Sequence, residues 1–173
     1  MIDEYLRGAL ILGSEQIRKQ HDRVRGAIKS HKRIIFLGNG GSFQGHMAHD
    51  FLKVGGIPTL TPDSPSLLTC LANDYTVENM FVGWLKVVFQ PGDLIIAVSS
   101  SGKSANIINA VKWIKERPSY VITITGFDEN NPLKQLGNEN IYLPTQSYGV
   151  HEVYAQIFLH SILDDIVKEK NNE

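Results

Sequence analysis

The chain has 173 residues, of which 42% are hydrophobic, and its 17 basic and 18 acidic residues give a formal net charge of −1. A chain of this length can form one domain with a substantial buried core, and this hydrophobic content excludes a wholly disordered protein. The balanced charge provides no general attraction to nucleic acid. The single cysteine, Cys70, excludes a disulfide within the chain and is typical of a reducing compartment.

The N-terminal residues do not have the pattern of a secretory signal. Met1-Ile2-Asp3-Glu4 is acidic where a signal peptide is positively charged. No apolar run approaches the length of a membrane span. The sequence therefore predicts a soluble, cytoplasmic domain without a membrane partner.

The first 30 residues predict a helical segment. Ile11 and Leu12 widen its apolar stripe, and Gly13-Ser14 is expected to kink the helix or to end a first helix. The wide stripe leaves two interpretations open. It packs either against another subunit, which we favour, or on the chain's own sheet. The apolar residues at helical spacing are Ile2, Leu6, Leu10, Ile17, Val24 and Ile28.

The rest of the chain alternates predicted strands with predicted helices. Short runs rich in β-branched and aromatic residues predict strands at 34–37, 57–60, 94–98, 120–125 and 141–143. Helices are predicted from Ser42 onwards and at 65–72, 77–89, 105–116, 132–136 and 150–168, with Asn73-Asp74-Tyr75 breaking the chain between two of them. This alternation indicates a three-layer α/β/α fold with a parallel sheet.

A glycine-rich turn follows the first predicted strand. Gly38-Asn39-Gly40-Gly41-Ser42 leads into a helix for which Ser42 is a suitable N-cap. Free backbone N–H groups and the helix dipole at such a turn favour an anion. The glycine spacing matches neither the dinucleotide-binding motif nor the Walker loop, which suggests a smaller phosphate ligand. A plain turn without a ligand explains this stretch equally well.

A serine-rich loop follows the strand predicted at 94–98. Ser99-Ser100-Ser101-Gly102-Lys103-Ser104 places four hydroxyl groups and a glycine before the N-terminus of a helix. Capping a helix requires only one serine, so the excess favours binding of a phosphate by hydroxyl and backbone N–H groups. Both this loop and the glycine turn follow strands, and ligands of open α/β sheets bind at the carboxyl ends of strands.

Two pairs of residues have the spacing of metal ligands on helices. His46 and Asp50 are one helical turn apart, and Glu152 and His160 are about two turns apart. Two imidazoles and two carboxylates can bind a divalent ion such as zinc. Each residue by itself is more often a packed or surface group than a ligand. Three other histidines are predicted to lie on the surface: His21, His31 and His151.

Together these segments resemble the SIS (sugar isomerase) domain and, within it, the phosphoheptose isomerase family. The matching motifs are the glycine turn, Ala72-Asn73-Asp74-Tyr75 with Glu78-Asn79, the serine loop with Ala105-Asn106, and the helix carrying Glu152 and His160. The resemblance covers nearly the whole chain. It implies a flavodoxin-like sheet, a cytoplasmic homotetramer with sites at subunit interfaces, and a zinc ion. It also implies interconversion of sedoheptulose 7-phosphate and D-glycero-D-manno-heptose 7-phosphate.

The resemblance also implies roles for individual residues. Asp50 would be the base and His160 the acid of an aldose–ketose isomerisation. The metal ligands would be His46, Asp50, Glu152 and His160. The substrate-binding residues would be Asn39, Gly40, Gly41, Ser42, Asp74, Ser99, Ser100, Ser101, Ser104 and Glu152.

The chain departs from the family pattern at the metal-ligand positions. Asp50 stands in place of a glutamate, and Glu152 in place of a glutamine. The His46–Asp50 pair is also about two residues closer to the glycine turn, which changes its helical phase by roughly half a turn. The sequence therefore resembles a divergent branch of the family.

Two alternatives remain open from the sequence. One is a non-catalytic SIS protein, either a phosphosugar-binding regulator or an adaptor for a replication initiator. The other is an isomerase for a different sugar phosphate. The retained set of two histidines and two carboxylates favours an enzyme.

Overall fold

A computed structural model of the chain describes residues 2–39 and 43–172. Within them lie seven helices: α1 (Ile2–Leu12), α2 (Glu15–Ser30), α3 (Gln44–Lys53), α4 (Pro65–Tyr75), α5 (Met80–Val88), α6 (Ala105–Lys115) and α7 (Tyr148–Asn171). The strands are β1 (Ile34–Leu37), β2 (Thr59–Leu60), β3 (Leu94–Ser99), β4 (Tyr120–Thr125) and β5 (Glu139–Tyr142), and a short 3₁₀ helix spans Lys134–Leu136.

The five strands form one parallel sheet in the order β2-β1-β3-β4-β5. Every residue of β1 and β3 is buried, as expected for parallel strands that are covered on both faces. The chain winds outwards from β1 to β2 and then returns to the other side of β1 with β3. This reversal opens a crevice at the carboxyl ends of β1 and β3, where ligands of such folds bind.

Alternate residues of the strands face two separate apolar cores. Ile34 and Phe36 of β1 pack with α2, α3 and α7 on one face of the sheet. Ile35 and Leu37 pack with α4, α5 and α6 on the other face. Each fully buried isoleucine or leucine contributes roughly 1.5–3 kcal/mol. The predicted three-layer α/β fold is confirmed. No helix of the described residues combines the length and apolar character that crossing a membrane requires.

Several predicted boundaries differ from the structure. Asn73-Asp74-Tyr75 does not break the chain, because α4 continues through these residues and ends before Thr76, whose φ is +67°. Helix α3 begins at Gln44, with Phe43 at its N-cap position. The predicted cap, Ser42, lies outside the described residues.

The N-terminal segment consists of two helices that separate at Gly13-Ser14, and Ser14 Oγ accepts a hydrogen bond from Ile17 N at 3.4 Å. Helix α2 packs on the sheet's own core through Ile17, Val24 and Ile28. Three apolar residues of α1 remain exposed, by 61–79%: Ile2, Leu6 and Leu10. Packing of α1 against another subunit stays a prediction.

A close contact attaches α1 to α7. A Cβ atom on Gly8 would lie 1.8 Å from Cε2 of Tyr154, so only glycine permits this approach. The Tyr154 hydroxyl donates a hydrogen bond to the Glu4 carbonyl at 3.3 Å. Helix α1 is therefore fixed at Gly8 directly to α7, the helix that runs over the sheet.

The prediction that three histidines lie on the surface is wrong for His151, which is fully buried in α7. His21 and His31 are half-buried, with ring contacts to Phe158 and Tyr120. Burial lowers the pKa of His151 to about 4, although the Thr125 carbonyl acts in the opposite direction. The imidazole of His151 is therefore neutral at pH 7.

The buried imidazole makes the stability of the protein dependent on pH. Between the unfolded pKa of about 6.5 and the folded pKa of about 4, only the unfolded chain takes up a proton at His151. The free energy of unfolding should fall by on the order of 3 kcal/mol across this window from this residue alone. Urea unfolding at pH 7, 6, 5 and 4.5 should show a steeper loss for the wild type than for His151→Asn. Parallel curves for the two proteins would contradict the assignment.

Candidate active site

The predicted serine residues line a cavity at the crevice in the sheet. This cavity measures about 120 Å³. A larger cavity of about 540 Å³ lies between α2 and α7, but none of the predicted site residues lines it, so we do not assign it to the site. The residues around the smaller cavity are Asn39, Val98, Ser99, Ser100, Ser101, Ser104, Tyr148 and Glu152.

The serine loop is folded so that most of its hydroxyl groups remain near the cavity. Ser99 Oγ and Ser104 Oγ lie 3.2 Å apart, and Ser101 Oγ accepts a hydrogen bond from the backbone N of Lys103. Ser104 is the N-cap residue of α6, yet its side chain makes no capping hydrogen bond. Ser104 therefore leaves the first N–H groups of α6 without its cap, which suits an anion there, whereas Ile107 N donates to Asn106 Oδ1 at 3.0 Å.

Gly102 fixes the path of this loop. Its φ is +62°, and a Cβ atom at this position would lie 1.9 Å from Oδ1 of Asn131. Both the left-handed conformation and the close approach require glycine. The Gly102 carbonyl accepts a hydrogen bond from Leu133 N at 3.1 Å, which holds the loop against the following segment. The spacing of the serines around the cavity thus depends on Gly102.

Asn39 is held at the cavity by a buried partner, Asn106, to which the sequence assigned no role. Asn106 Nδ2 donates to Asn39 Oδ1 at 2.6 Å, and Asn39 Nδ2 donates back to Asn106 Oδ1 at 3.2 Å. Asn106 is buried, and its Oδ1 also accepts from Ile107 N. This pair joins the glycine turn after β1 to the helix after β3. The other residues predicted from the glycine turn, Gly40, Gly41 and Ser42, lie outside the described residues.

His46, Asp50 and His160 meet where α3 packs beside α7. Asp50 Oδ2 lies 3.2 Å from His46 Nε2 and 3.9 Å from His160 Nδ1. The two imidazole rings are 5.4 Å apart between centroids. One potential ligand atom from each residue lies within 4.8 Å of the other two. Two imidazole nitrogens and one carboxylate oxygen are a donor set that suits zinc and leaves a further coordination position open.

Glu152 does not join this cluster in the described part of the chain. It is half-buried and lines the serine cavity. It precedes His160 by eight residues, which corresponds to about 12 Å along a helix axis. The structure therefore brings together three of the four predicted metal ligands and places Glu152 among the predicted substrate-binding residues.

Asp74 does not line the serine cavity. It lies on the last turn of α4, is exposed, and contacts Cys70 and Asn73. Its predicted role in binding a sugar hydroxyl therefore has no support from the position of Asp74 within one chain.

Two residues of α7 at the cavity were not predicted. Tyr148 lines the cavity and contacts the Phe127 ring edge-to-face at 4.8 Å. His151 Nδ1 lies 2.9 Å from Ser100 Oγ. The sequence did contain a signal for His151, because it falls on the same buried helical stripe as Tyr154, Phe158 and Ile162.

Comparisons with known proteins identify the family of the chain. The family model of the SIS domain matches residues 2–126. The phosphoheptose isomerase of Cytophaga hutchinsonii is 31% identical over 156 residues, which cover 85% of this chain and 81% of that protein. The probable phosphoheptose isomerase of Thermoplasma acidophilum is 29% identical over 171 residues, covering 93% and 92% of the two chains.

A solved structure has the same fold. The phosphoheptose isomerase of Neisseria gonorrhoeae superimposes with a TM-score of 0.84 at 22% identity, covering 95% of this chain and 94% of that one. At this identity the likeness concerns the fold alone. The sequence comparisons show the family as well as the fold, because they include a family model over most of the chain and a relative above 30% identity. The chain belongs to the SIS domain family and, within it, to the phosphoheptose isomerases.

Proposed function

We propose that this protein is a phosphosugar isomerase that interconverts sedoheptulose 7-phosphate and D-glycero-D-manno-heptose 7-phosphate. The relatives described above are named as phosphoheptose isomerases, which supports a phosphosugar isomerase in general. The observation that carries the proposal is the His46–Asp50–His160 cluster on α3 and α7, together with a serine-lined cavity that shares Asn39 with a second cavity lined by His46. The proposed proton-transfer group would thus lie near the proposed phosphate site.

The serine cavity would bind the phosphate group of the sugar. Ser99, Ser101 and Ser104 offer hydroxyl donors around it, and the N-terminus of α6 adds backbone N–H groups. Asn39 would donate to a sugar hydroxyl from the edge of the cavity, held there by Asn106. Binding the phosphate fixes the distance of the sugar carbonyl from the phosphate site and so orients the reacting carbons.

Asp50 and His160 would move the protons. Asp50 approaches both imidazoles through Oδ2, so we assign Oδ1 as the oxygen that accepts the proton from C1 of the ketose. The electrons of that C–H bond form the C1–C2 double bond of an enediolate. His160 transfers a proton between the oxygens on C1 and C2, and Asp50 returns its proton to C2. The reaction consumes no co-reactant, because an isomerisation conserves all atoms and electrons.

His46, Asp50 and His160 would also hold a divalent metal, with zinc as the proposed ion. When bound, the ion supplies Lewis-acid stabilisation of the sugar oxygen on which negative charge develops. Glu152 would contact sugar hydroxyls between the phosphate and the cluster. As in the family that the sequence resembles, we propose a homotetramer whose neighbouring subunits complete the site, with α1 in the contact.

The proposed reaction can be tested directly by NMR. Incubation of the protein with zinc and sedoheptulose 7-phosphate should produce new anomeric signals of the aldose, and a chelator should abolish their formation. Fructose 6-phosphate and ribulose 5-phosphate serve as comparison substrates. Conversion of one of these without conversion of the heptose would identify a different sugar. If none is converted but sugar phosphates protect the protein against heat, a binding protein replaces the enzyme.

Replacing one residue of the cluster should stop turnover without unfolding the protein. In His160→Asn, kcat should fall at least about 100-fold, because a group that transfers protons and binds metal is lost. The matched control is His49→Asn. His49 lies on the same helix as His46 but pairs with Asp63 on the surface, outside the cluster. Bound metal, circular dichroism and kcat are measured for both variants. Near-normal turnover by His160→Asn would eliminate the mechanism.

The charge of Glu152 should weaken the binding of phosphate. Its carboxylate lines the same cavity as the serines, so it repels a phosphate dianion. Glu152→Gln should therefore lower the Kd for inorganic phosphate by roughly two- to five-fold at low salt, and by less in 0.5 M NaCl. Isothermal titration calorimetry at both salt concentrations measures the change. Weaker binding by this variant would show that phosphate does not occupy the cavity.

A further inference from the structure

The hydrogen bond between Ser100 and His151 links the phosphate cavity to the interior of the protein. Ser100 Oγ lies at the cavity, and His151 Nδ1 lies 2.9 Å behind it on α7. His151 is fully buried, whereas Ser100 is half-buried. The two residues are 51 positions apart in the sequence, so the contact exists only because α7 packs over the end of β3.

The chemical state of His151 determines what Ser100 offers to a ligand. The imidazole is fully buried, which favours its neutral form, so one ring nitrogen carries a proton and the other is an acceptor. Nε2 has no partner in hydrogen-bond geometry in residues 2–39 and 43–172. The Thr125 carbonyl, which acts on the pKa of this ring, already accepts a hydrogen bond from Leu143 N at 2.8 Å. A proton on Nε2 would leave a buried donor unpaired there, which is costly. The proton is therefore better placed on Nδ1, where Ser100 Oγ accepts it.

We propose that His151 is a positioning residue for phosphate binding, which donates from Nδ1 to Ser100 Oγ and so directs the Ser100 O–H towards a phosphate oxygen in the cavity. This inference rests on the proposed role of the serine cavity as the phosphate site. A free serine hydroxyl rotates and chooses between donating and accepting. With one lone pair of Oγ occupied by the His151 N–H, the Ser100 proton turns away from α7 and remains available to the ligand.

The effect should appear in binding rather than in the chemical step, because the phosphate is remote from the carbons that react. Loss of the His151 donor should raise KM for the sugar phosphate and leave kcat nearly unchanged. A structural role of His151 that distorted the site in general would lower kcat as well. The ratio of the two constants therefore separates the two roles.

Four variants test the coupling with inorganic phosphate as the probe. His151→Leu removes the donor, and its Kd should rise about five- to ten-fold, as for loss of one hydrogen bond. His151→Asn keeps a donor on the atom bonded to Cγ and should stay within about two-fold of the wild type. Ser100→Ala should weaken binding about as much as His151→Leu, and the double variant should be no weaker than Ser100→Ala. His21→Leu is the matched control, since His21 packs on Phe158 away from the cavity, and its Kd should not change.

Additive effects of His151→Leu and Ser100→Ala would overturn the proposal, as would equal losses in His151→Asn and His151→Leu. NMR of the wild type with ¹⁵N-labelled histidine provides a test that needs no variant. It should show His151 protonated at Nδ1 and not at Nε2, and the opposite tautomer would refute the inference. Wild type that binds phosphate without isomerising a heptose phosphate would refute only the proposed reaction. Wild type that does not bind phosphate would refute this inference, whichever sugar is isomerised.

Discussion

The packing of helix α7 against one face of the sheet is the interaction on which the other functional features depend. Nine residues of this helix are buried, and all of them except His151 join the same core as alternate residues of β1, β3 and β4. Once the helix is docked, its first turns cross the carboxyl end of β3 and its middle passes beside α3. The helix thus supplies Glu152 to the serine cavity and His160 to the cluster with Asp50. Neither site is complete without this contact.

The two halves of the site form by different physical means. The proposed phosphate site is made largely of local structure: a turn fixed by Gly102, consecutive hydroxyl groups, and the N-terminus of the helix that follows. The histidine cluster is tertiary, because its residues come from helices more than a hundred positions apart. The amide pair of Asn39 and Asn106 fixes the glycine turn relative to the serine loop.

This difference explains what could be predicted from the sequence. The strands were predictable because buried parallel strands are short apolar runs between polar turns, and the serine loop because its residues are contiguous. The pair His46 and Asp50 follows from helical spacing. Helical spacing alone did not reveal that Glu152 and His160 are separated. Two turns of helix place residues on one face but hold them about 12 Å apart. His151 was wrongly predicted to lie on the surface because histidine is a polar residue type, although its place on the apolar stripe of α7 predicts burial. The helix break at Asn73-Asp74-Tyr75 was predicted wrongly because these polar residues resemble a loop, whereas α4 continues to Tyr75.

The contact between Gly8 and Tyr154 has a mechanical consequence. Tyr154 lies less than one helical turn from His151 and Glu152, and no side chain separates its ring from the backbone of α1. Any displacement of α1 is therefore transmitted to the part of α7 that faces the cavity. Glycine at position 8 permits the shortest distance between α1 and α7. A larger side chain at position 8 would move the exposed apolar residues of α1 away from α7.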